Sequence, residues 1–412
     1  MLMTNNENKT GVWIIGALGD VATTLIVGSI AVSNKLSLPT GMVSGLSPMN
    51  QLELLSLDQL ILGGQDIRNG SITESAKEIS QRSRSFTTEL LNKIQAALTQ
   101  VDRNIVNSNQ LDWSNDQQEG SLNLTEITQQ QRLLLRTFIK QNKLTHLVVV
   151  NLASAETSPE LSSEHDSLQG FEQLIEDNRK DRILPSMLHA YAAFSEGCSY
   201  INFTPSCGAS IPALQELAQQ KNLPHYGNDG KTGETLIKTA LAPMFLNRNL
   251  QVMSWEGINM LGNNDGKNLD DPAKCEGKLK NKADVLQSIL NYPLHADVNI
   301  NYVPSLGDWK TAWNMIHFKG FLDVPMTMQF TWQGCDSVLA APLILDMIRF
   351  SEFATRQNES GPMHHLASFF KNPIDVDEMA FFPQFEMLLN YTYQHLAKNN
   401  NFRPDSIDSD SN

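Results

Sequence analysis

Short apolar runs closed by glycine or small polar residues alternate along this chain with stretches whose apolar positions recur at helical spacing. Val12-Trp13-Ile14-Ile15 is apolar without a break between Gly11 and Gly16, the pattern of a buried strand. Ala17-Leu18-Gly19-Asp20-Val21-Ala22 follows, and Leu25, Ile26, Gly28 and Ile30 then keep helical spacing. The same grammar predicts strands at Leu60–Ile67, Leu144–Leu152, Tyr200–Phe203 and Leu250–Ile258. Helices are predicted at Glu74–Leu98, Leu124–Gln141, Leu184–Phe194 and from Ile211 to Leu217. A further helix, with Leu236, Ile237, Ala240, Leu241 and Met244 on one core-facing stripe, follows the glycine-rich turn Tyr226–Gly233. Strands joined by helices, with glycines at the strand ends, predict an α/β fold with a Rossmann-like, doubly wound sheet.

Beyond Lys282 the texture changes. Ala296–Val303, Asn314–Phe318 and Met326–Trp332 read as strands with little helix between them, a second, sheet-rich α+β domain. Asp336–Phe350 returns to an apolar helix, Leu366–Lys371 reads as a helix end and Asp375–Leu396 as a last helix. The expected division is therefore 1–260, completed by 336–412, for the doubly wound domain and 261–335 for the second. The polar tail from Asn399 reads as disordered.

Charge and cysteine usage narrow the partners. The chain has 412 residues, 41% of them hydrophobic, 18% charged, with a formal net charge of −14. Such an acid excess argues against nucleic acid or an anionic membrane, which would want an extended basic face. Cys198, Cys207, Cys275 and Cys335 are spread without a Cys-x-x-Cys spacing, as in a reduced cytoplasmic protein. No signal peptide, membrane span or metal-ligand cluster is expected; His364-His365 reads as a helix surface and Met347 and the aromatics near Phe330 as core.

Positive charge is gathered locally instead. Met260–Lys282 packs Gly262-Asn263-Asn264-Asp265-Gly266 against Lys267, Lys274, Lys278, Lys280 and Lys282. The glycines and asparagines suit a tight turn approaching a ligand, and Lys278 and Lys282 would share a helix face around an anion. The opening strand, turn and helix are those of a dinucleotide-binding unit, with Gly16, Gly19, Asp20, Val21 and Ala22 lining the turn. Gly-x-Gly-x-x-Gly would want glycine at Leu18 and glycine or alanine at Val21, so the match is partial. Asp66 could take ribose hydroxyls or form an Asx turn. Ala153, Ser154 and Thr204 follow strand ends, where an open α/β sheet binds its ligand.

These residues resemble the myo-inositol-1-phosphate synthase (inositol-3-phosphate synthase) family. Gly262–Leu269 is similar to its Leu-Gly-Asn-Asn-Asp-Gly signature, and Lys278 and Lys282 fall at the spacing of two lysines the family uses catalytically. Gly307-Asp308-Trp309-Lys310 resembles its Gly-Asp-Ser-Lys motif, and Phe370-Lys371-Asn372-Pro373 its Leu-Lys-Ala-Pro segment. Cys335–Asp346 is similar to its Asp-Ser-Leu-Leu-Ala-Ala-Pro helix, and Gly227–Gly233 to its Gly-Asp-Asp-x-Lys-Ser-Gly turn. The resemblance runs from Gly11 to about Pro373 and is patchy between Ser71 and Lys143. The family's Gly-Gly-Asn-Asn-Gly and Ala-Asn-Thr-Glu-Arg loops stand here as Gly19-Asp20-Val21-Ala22 and Ala153-Ser154-Ala155-Glu156-Thr157.

The resemblance implies conversion of glucose 6-phosphate to an inositol phosphate in a homotetramer, with NAD used and regenerated. A hydride leaves C5, the ketone enolises at C6, C6 attacks the C1 aldehyde, and the hydride returns. Lys278, Lys282, Lys310, Lys371 and Asp308 are the implied catalytic set, Lys278 for the C5 hydroxyl proton and Lys282 for the phosphate. Asp229 and Asp308 would orient lysines. Asp229, Thr232, Asn263, Asn264, Asp265, Asp336 and Ser337 join the implied cofactor site, Asp336 being equally readable as a helix N-cap. Clustered ammoniums lower one another's pKa, so a lysine can exchange protons near neutral pH where arginine cannot. Open alternatives are an NAD-dependent cyclase or oxidoreductase for another sugar phosphate, a non-catalytic sugar-phosphate or nucleotide sensor, and a Schiff-base aldolase.

Overall fold

A computed structural model describes residues 9–113, 122–157, 160–262 and 285–398. The first sheet takes its strands from across the chain: β1 (Thr10–Ile15), β2 (Leu60–Asp66), β3 (Ile105–Asn107), β4 (His146–Asn151), β5 (Ser199–Asn202) and β6 (Pro224–Tyr226). Strand order is β11-β6-β5-β4-β1-β2-β3, with β11 (Gly361–Pro362) arriving late, and every pairing is parallel. Parallel strands need helical crossovers on both faces, which is why β1 is buried along its whole length. Val12 and Ile14 pack with α1 (Asp20–Ser33) into one core, while Trp13 and Ile15 enter the opposite core with α4 (Leu124–Asn142) and α6 (Pro185–Ser195).

Helix starts are written locally. Ser71 caps α2 (Ile72–Ser83), Thr87 caps α3 (Thr88–Asp102), and Asn123 with Glu126 forms a capping box on α4. The single helix expected over Glu74–Leu98 is thus two. Arg84, at φ 54°, ends the first in the left-handed region, and the Thr87 cap restarts the second.

The second sheet has order β10-β9-β7-β8, from β7 (Gln251–Leu261), β8 (His295–Tyr302), β9 (Trp309–Lys319) and β10 (Pro325–Cys335). β7 therefore lies outside the doubly wound sheet, and the second sheet begins ten residues before the expected boundary at 261. Its inward positions, among them Val252, Trp255 and Ile316, pack on Ala242 and Phe245 of α8 (Glu234–Asn247). Met244, expected in the core, is exposed on the other side of α8, because Ala242 and Phe245 take the sheet-facing stripe.

After β10 the chain returns to the first domain. α9 (Asp336–Arg356) contributes Ala340, Ile344 and Ile348 to the core that α1 shares with β1, and α10 (Phe381–Lys398) closes the same side. His364-His365 opens a 3-10 run beneath α10, so His365 is not a surface residue. Its ring stacks on Tyr391 at 3.8 Å and meets Tyr226 edge-on, and burial lowers it to about 3. No helix among the described residues is long and apolar enough to cross a membrane.

Candidate active site

The glycine turn after β1 lies at the carboxyl edge of the first sheet, between β2 and β4. Gly16 and Ala17 donate to Gln65 O at 3.0 Å, which folds the chain back over the strand ends. Gly16 has φ +79°, and a Cβ there would stand 3.0 Å from the Ala153 backbone, so a side chain would be both strained and crowded. Gly19 is the N-cap of α1 and no side chain caps it, leaving the helix amides open over the edge. Asp20, in the first turn, pairs with Arg82 at 2.5 Å.

Asp66 makes the Asx turn that was the alternative to a ribose contact. Its Oδ2 accepts from Leu18 N at 2.9 Å and its Oδ1 from Arg68 N at 2.8 Å, while the Arg68 guanidinium spans both oxygens. Four donors fill the acceptor directions of one carboxylate, so Asp66 anchors the turn itself. Ala153 N donates to Asn151 Oδ1, and Ser154 is exposed beside it. Thr204 donates to Asn202 Oδ1 at 2.7 Å, and Asn202 also donates to Asn228 at 2.9 Å. Asn151 and Asn202, at the ends of β4 and β5, were missed by sequence reasoning because each looks like an ordinary strand terminus.

Two distant segments are zipped together next. Residues 227–231 and 369–374 exchange backbone hydrogen bonds, including Asn228 N to Asn372 O at 2.7 Å and Lys371 N to Asp229 O at 2.6 Å. Gly230 must be glycine here, since a Cβ would lie 2.0 Å from the Phe203 ring. The ladder brings Lys371 Nζ to 2.8 Å from Asp229 Oδ1. One residue on, Thr232 Oγ1 donates to Asp336 Oδ1 at 3.1 Å, and Lys310 Nζ stands 3.9 Å from Asp336 Oδ2. Cys335 is the N-cap of α9, so Asp336 does not cap it and turns toward Thr232 and Lys310.

Asp308 is buried below this group. Ser337 Oγ and Cys335 Sγ both donate to its Oδ2, while burial holds its carboxyl above the usual carboxylate range. Trp309 donates to Ser83 O at 3.2 Å, so the 307–310 turn of the second sheet leans on the end of α2, next to Arg82 and Asp20. Lys310, Thr232, Asp308, Asp336 and Ser337 therefore meet where the two sheets join, and the Lys371–Asp229 pair stands on the same turn that supplies Thr232. Lys278, Lys282, Asn263, Asn264 and Asp265 lie outside the described residues. Gly262, just before them, has its backbone packed against Gly307.

A family model described as myo-inositol-1-phosphate synthase, of the NAD-binding kind, matches residues 10–392. The chain belongs to that family. It is 34% identical over 388 residues to inositol-3-phosphate synthase 1 of Bacteroides thetaiotaomicron, covering 89% of this chain and 90% of that one. The Dictyostelium discoideum inositol-3-phosphate synthase is 29% identical, with 84% of this chain and 75% of that one covered. Among solved structures, inositol-3-phosphate synthase from Caenorhabditis elegans superposes with a TM-score of 0.80 at 25% identity, covering 94% and 86% of the two chains.

NAD is the cofactor of this family's binding domain. The residues present fit it: a cradle at Gly16 that a Cβ would fill, an α1 N-terminus with no side-chain cap, and small residues at Ala153 and Ser154. Among the described residues no group of three His, Cys, Asp or Glu could hold a metal ion. Glu234 and Lys238 form a further buried pair, at 3.1 Å in α8. Glu234 accepts from Asn259 at 2.6 Å, tying the first turn of α8 to β7. Glu234 and Lys238 stand at i,i+4 spacing immediately after the glycine turn.

Proposed function

We propose that this chain converts D-glucose 6-phosphate to 1D-myo-inositol 3-phosphate by oxidation at C5, enolisation, intramolecular aldol closure and re-reduction. The observation that carries the reading is two lysine–aspartate pairs, Lys310–Asp336 and Lys371–Asp229, linked by the turn that runs from Asp229 to Thr232, beside a turn that fits NAD. When bound, NAD takes up and returns the hydride, so redox change over a full turnover is nil.

The protein's own residues would handle protons and negative charge. Lys371, oriented by Asp229, and Lys310, oriented by Asp336, present ammonium groups to the enolate and to the aldol oxyanion. Such fixed cations favour charge that develops only in the transition state, where they contribute more than to the ground state. Lys278 would exchange the C5 hydroxyl proton and Lys282 would bind the phosphate. α8 also presents its first amides behind Gly233, which has no side-chain cap and lies beside the Lys310 side chain; this supports a phosphate seat there. Asp308 would hold the start of α9 through Ser337 rather than touch substrate.

The assembly we propose is a homotetramer formed through the second sheet. Its outer positions include Ile258, Met260, Trp313 and Met315, and the β9–β10 connection exposes Phe321 and Leu322. Light scattering that gave a monomer at micromolar concentration would remove this part. We place the protein in the cytoplasm, in keeping with free Cys198, Cys207 and Cys335, and cell fractionation tests that.

Incubation of purified protein with glucose 6-phosphate and NAD, followed by phosphorus and carbon NMR, tests the activity. Inositol phosphate without net NADH is the expected result. NADH accumulating with a keto product, or turnover of a different sugar phosphate alone, would overturn it.

A further inference from the structure

None of the chemistry above uses Lys231, which stands between Asp229 and Thr232 with only 2% of its surface exposed. Its amine donates to Gln384 Oε1 at 2.5 Å, and Gln384, wholly buried in the first turn of α10, passes the contact to Glu378 O at 2.5 Å. Its backbone N–H donates to Phe369 O at 2.8 Å, in the ladder that also joins Asp229 to Lys371. An amine is a costly group to bury, and an apolar side chain would fill the same space without desolvation. Burial lowers it to about 7, with Glu378 opposing and the Lys371 charge adding to the fall.

We propose that Lys231 is a positioning residue for the reaction: through Gln384 it ties the 228–232 turn and the 369–372 segment to α10. That tie holds Asp229 against Lys371 and Thr232 against Asp336. Two separate chain segments carry the ion pair, held together by the backbone ladder and by packing of Phe203 on Phe370, and the Lys231–Gln384 contact adds a polar tie from the turn to a helix. A shift of about 1 Å in such an arrangement costs on the order of 100-fold in rate. The inference rests on the cyclisation reading.

The test uses the full chain with NAD and compares Lys231→Met, Gln384→Met, the double variant and Gln384→Glu. Each apolar single variant is expected to lose about tenfold or more in kcat, with KM for glucose 6-phosphate changed by less than about threefold. The double variant is expected to be no slower than the slower single, because both act through one contact. Gln384→Glu keeps a partner for the amine and is expected to stay within about threefold of the parent. In parallel, trace acetic anhydride labelling read by mass spectrometry, without substrate, should show Lys371 more reactive in both apolar variants. Parent-like kcat and labelling, or losses appearing only in KM or in melting temperature, would overturn the proposal. Should the parent make no inositol phosphate, the activity reading fails, and Lys371 labelling alone decides the positioning role.

Discussion

Replacing Lys231 by methionine should stabilise the protein at low pH and lose that advantage as pH rises. The buried amine titrates at about 7 against an ordinary value of 10.5. Because the folded value is the lower one, the folded state prefers the neutral amine, and stability is withheld below pH 7. It is recovered as pH climbs from 7 toward 10.5. At about 1.4 kcal/mol per pKa unit, the full cost of the charged form is about 5 kcal/mol near pH 6 and falls to about 1 kcal/mol near pH 10. Methionine removes this cost but leaves Gln384 Oε1 without its donor, a loss of about 1–3 kcal/mol that does not vary with pH. The variant should therefore exceed the parent by roughly 2–4 kcal/mol near pH 6 and fall level with it or below near pH 10. Urea melts of both proteins at one protein concentration, at the two pH values, measure this difference. A stability difference constant within about 1 kcal/mol across that range would refute the depressed amine and the reasoning built on it.

The site makes further demands. Lys371→Ala and Asp229→Asn should each lower kcat by about 100-fold or more with little change in melting temperature, since the pair is partly exposed and its loss leaves the core intact. Steady-state kinetics and thermal melts check both. Arg82→Ala leaves Asp20 without its cation at the α1 N-terminus, so NAD affinity by calorimetry should fall about five- to tenfold, and adding Asp20→Asn should restore it. His365, held neutral among aromatic rings at about 3, is charged only in the unfolded chain below its ordinary 6.5, so it withdraws stability as pH falls. His365→Phe should therefore keep about 2 kcal/mol more of its neutral-pH stability than the parent near pH 5, as read by urea melts.

Much of this architecture was legible along the chain because it is specified by neighbours in sequence. Unbroken apolar runs marked β1 and β4, and the glycine after β1 marked a turn where a Cβ would crowd Ala153 at positive φ. The caps at Ser71 and Thr87 were also present, though the apolar stripe across them hid the break at Arg84. The lysines and carboxylates of the site could be named from motifs, but motifs do not carry distance.

Long-range pairing decided the rest. β7 reads like any buried strand, and only its pairing with β8 and β9 assigns it to the second sheet. The burial of His365 depends on α10, whose Tyr391 covers it, and the exposure of Met244 depends on which stripe of α8 faces β7 and β9. That Asp66 closes its own loop depends on Leu18 and Arg68 arriving beside it. Asp229 and Lys371 are 142 positions apart, and Lys231 and Gln384 are 153 apart. Local propensity acts over a few residues, so such contacts exist only once the closed chain has repaid the entropy of bringing distant segments together. The sequence by itself determined the longer strands, the glycine turns and the kinds of side chain available for the chemistry, while the short strands β3, β6 and β11 carried too little apolar pattern to be seen. Tertiary structure decided which of them face one another, because burial and charge pairing depend on what packs from elsewhere.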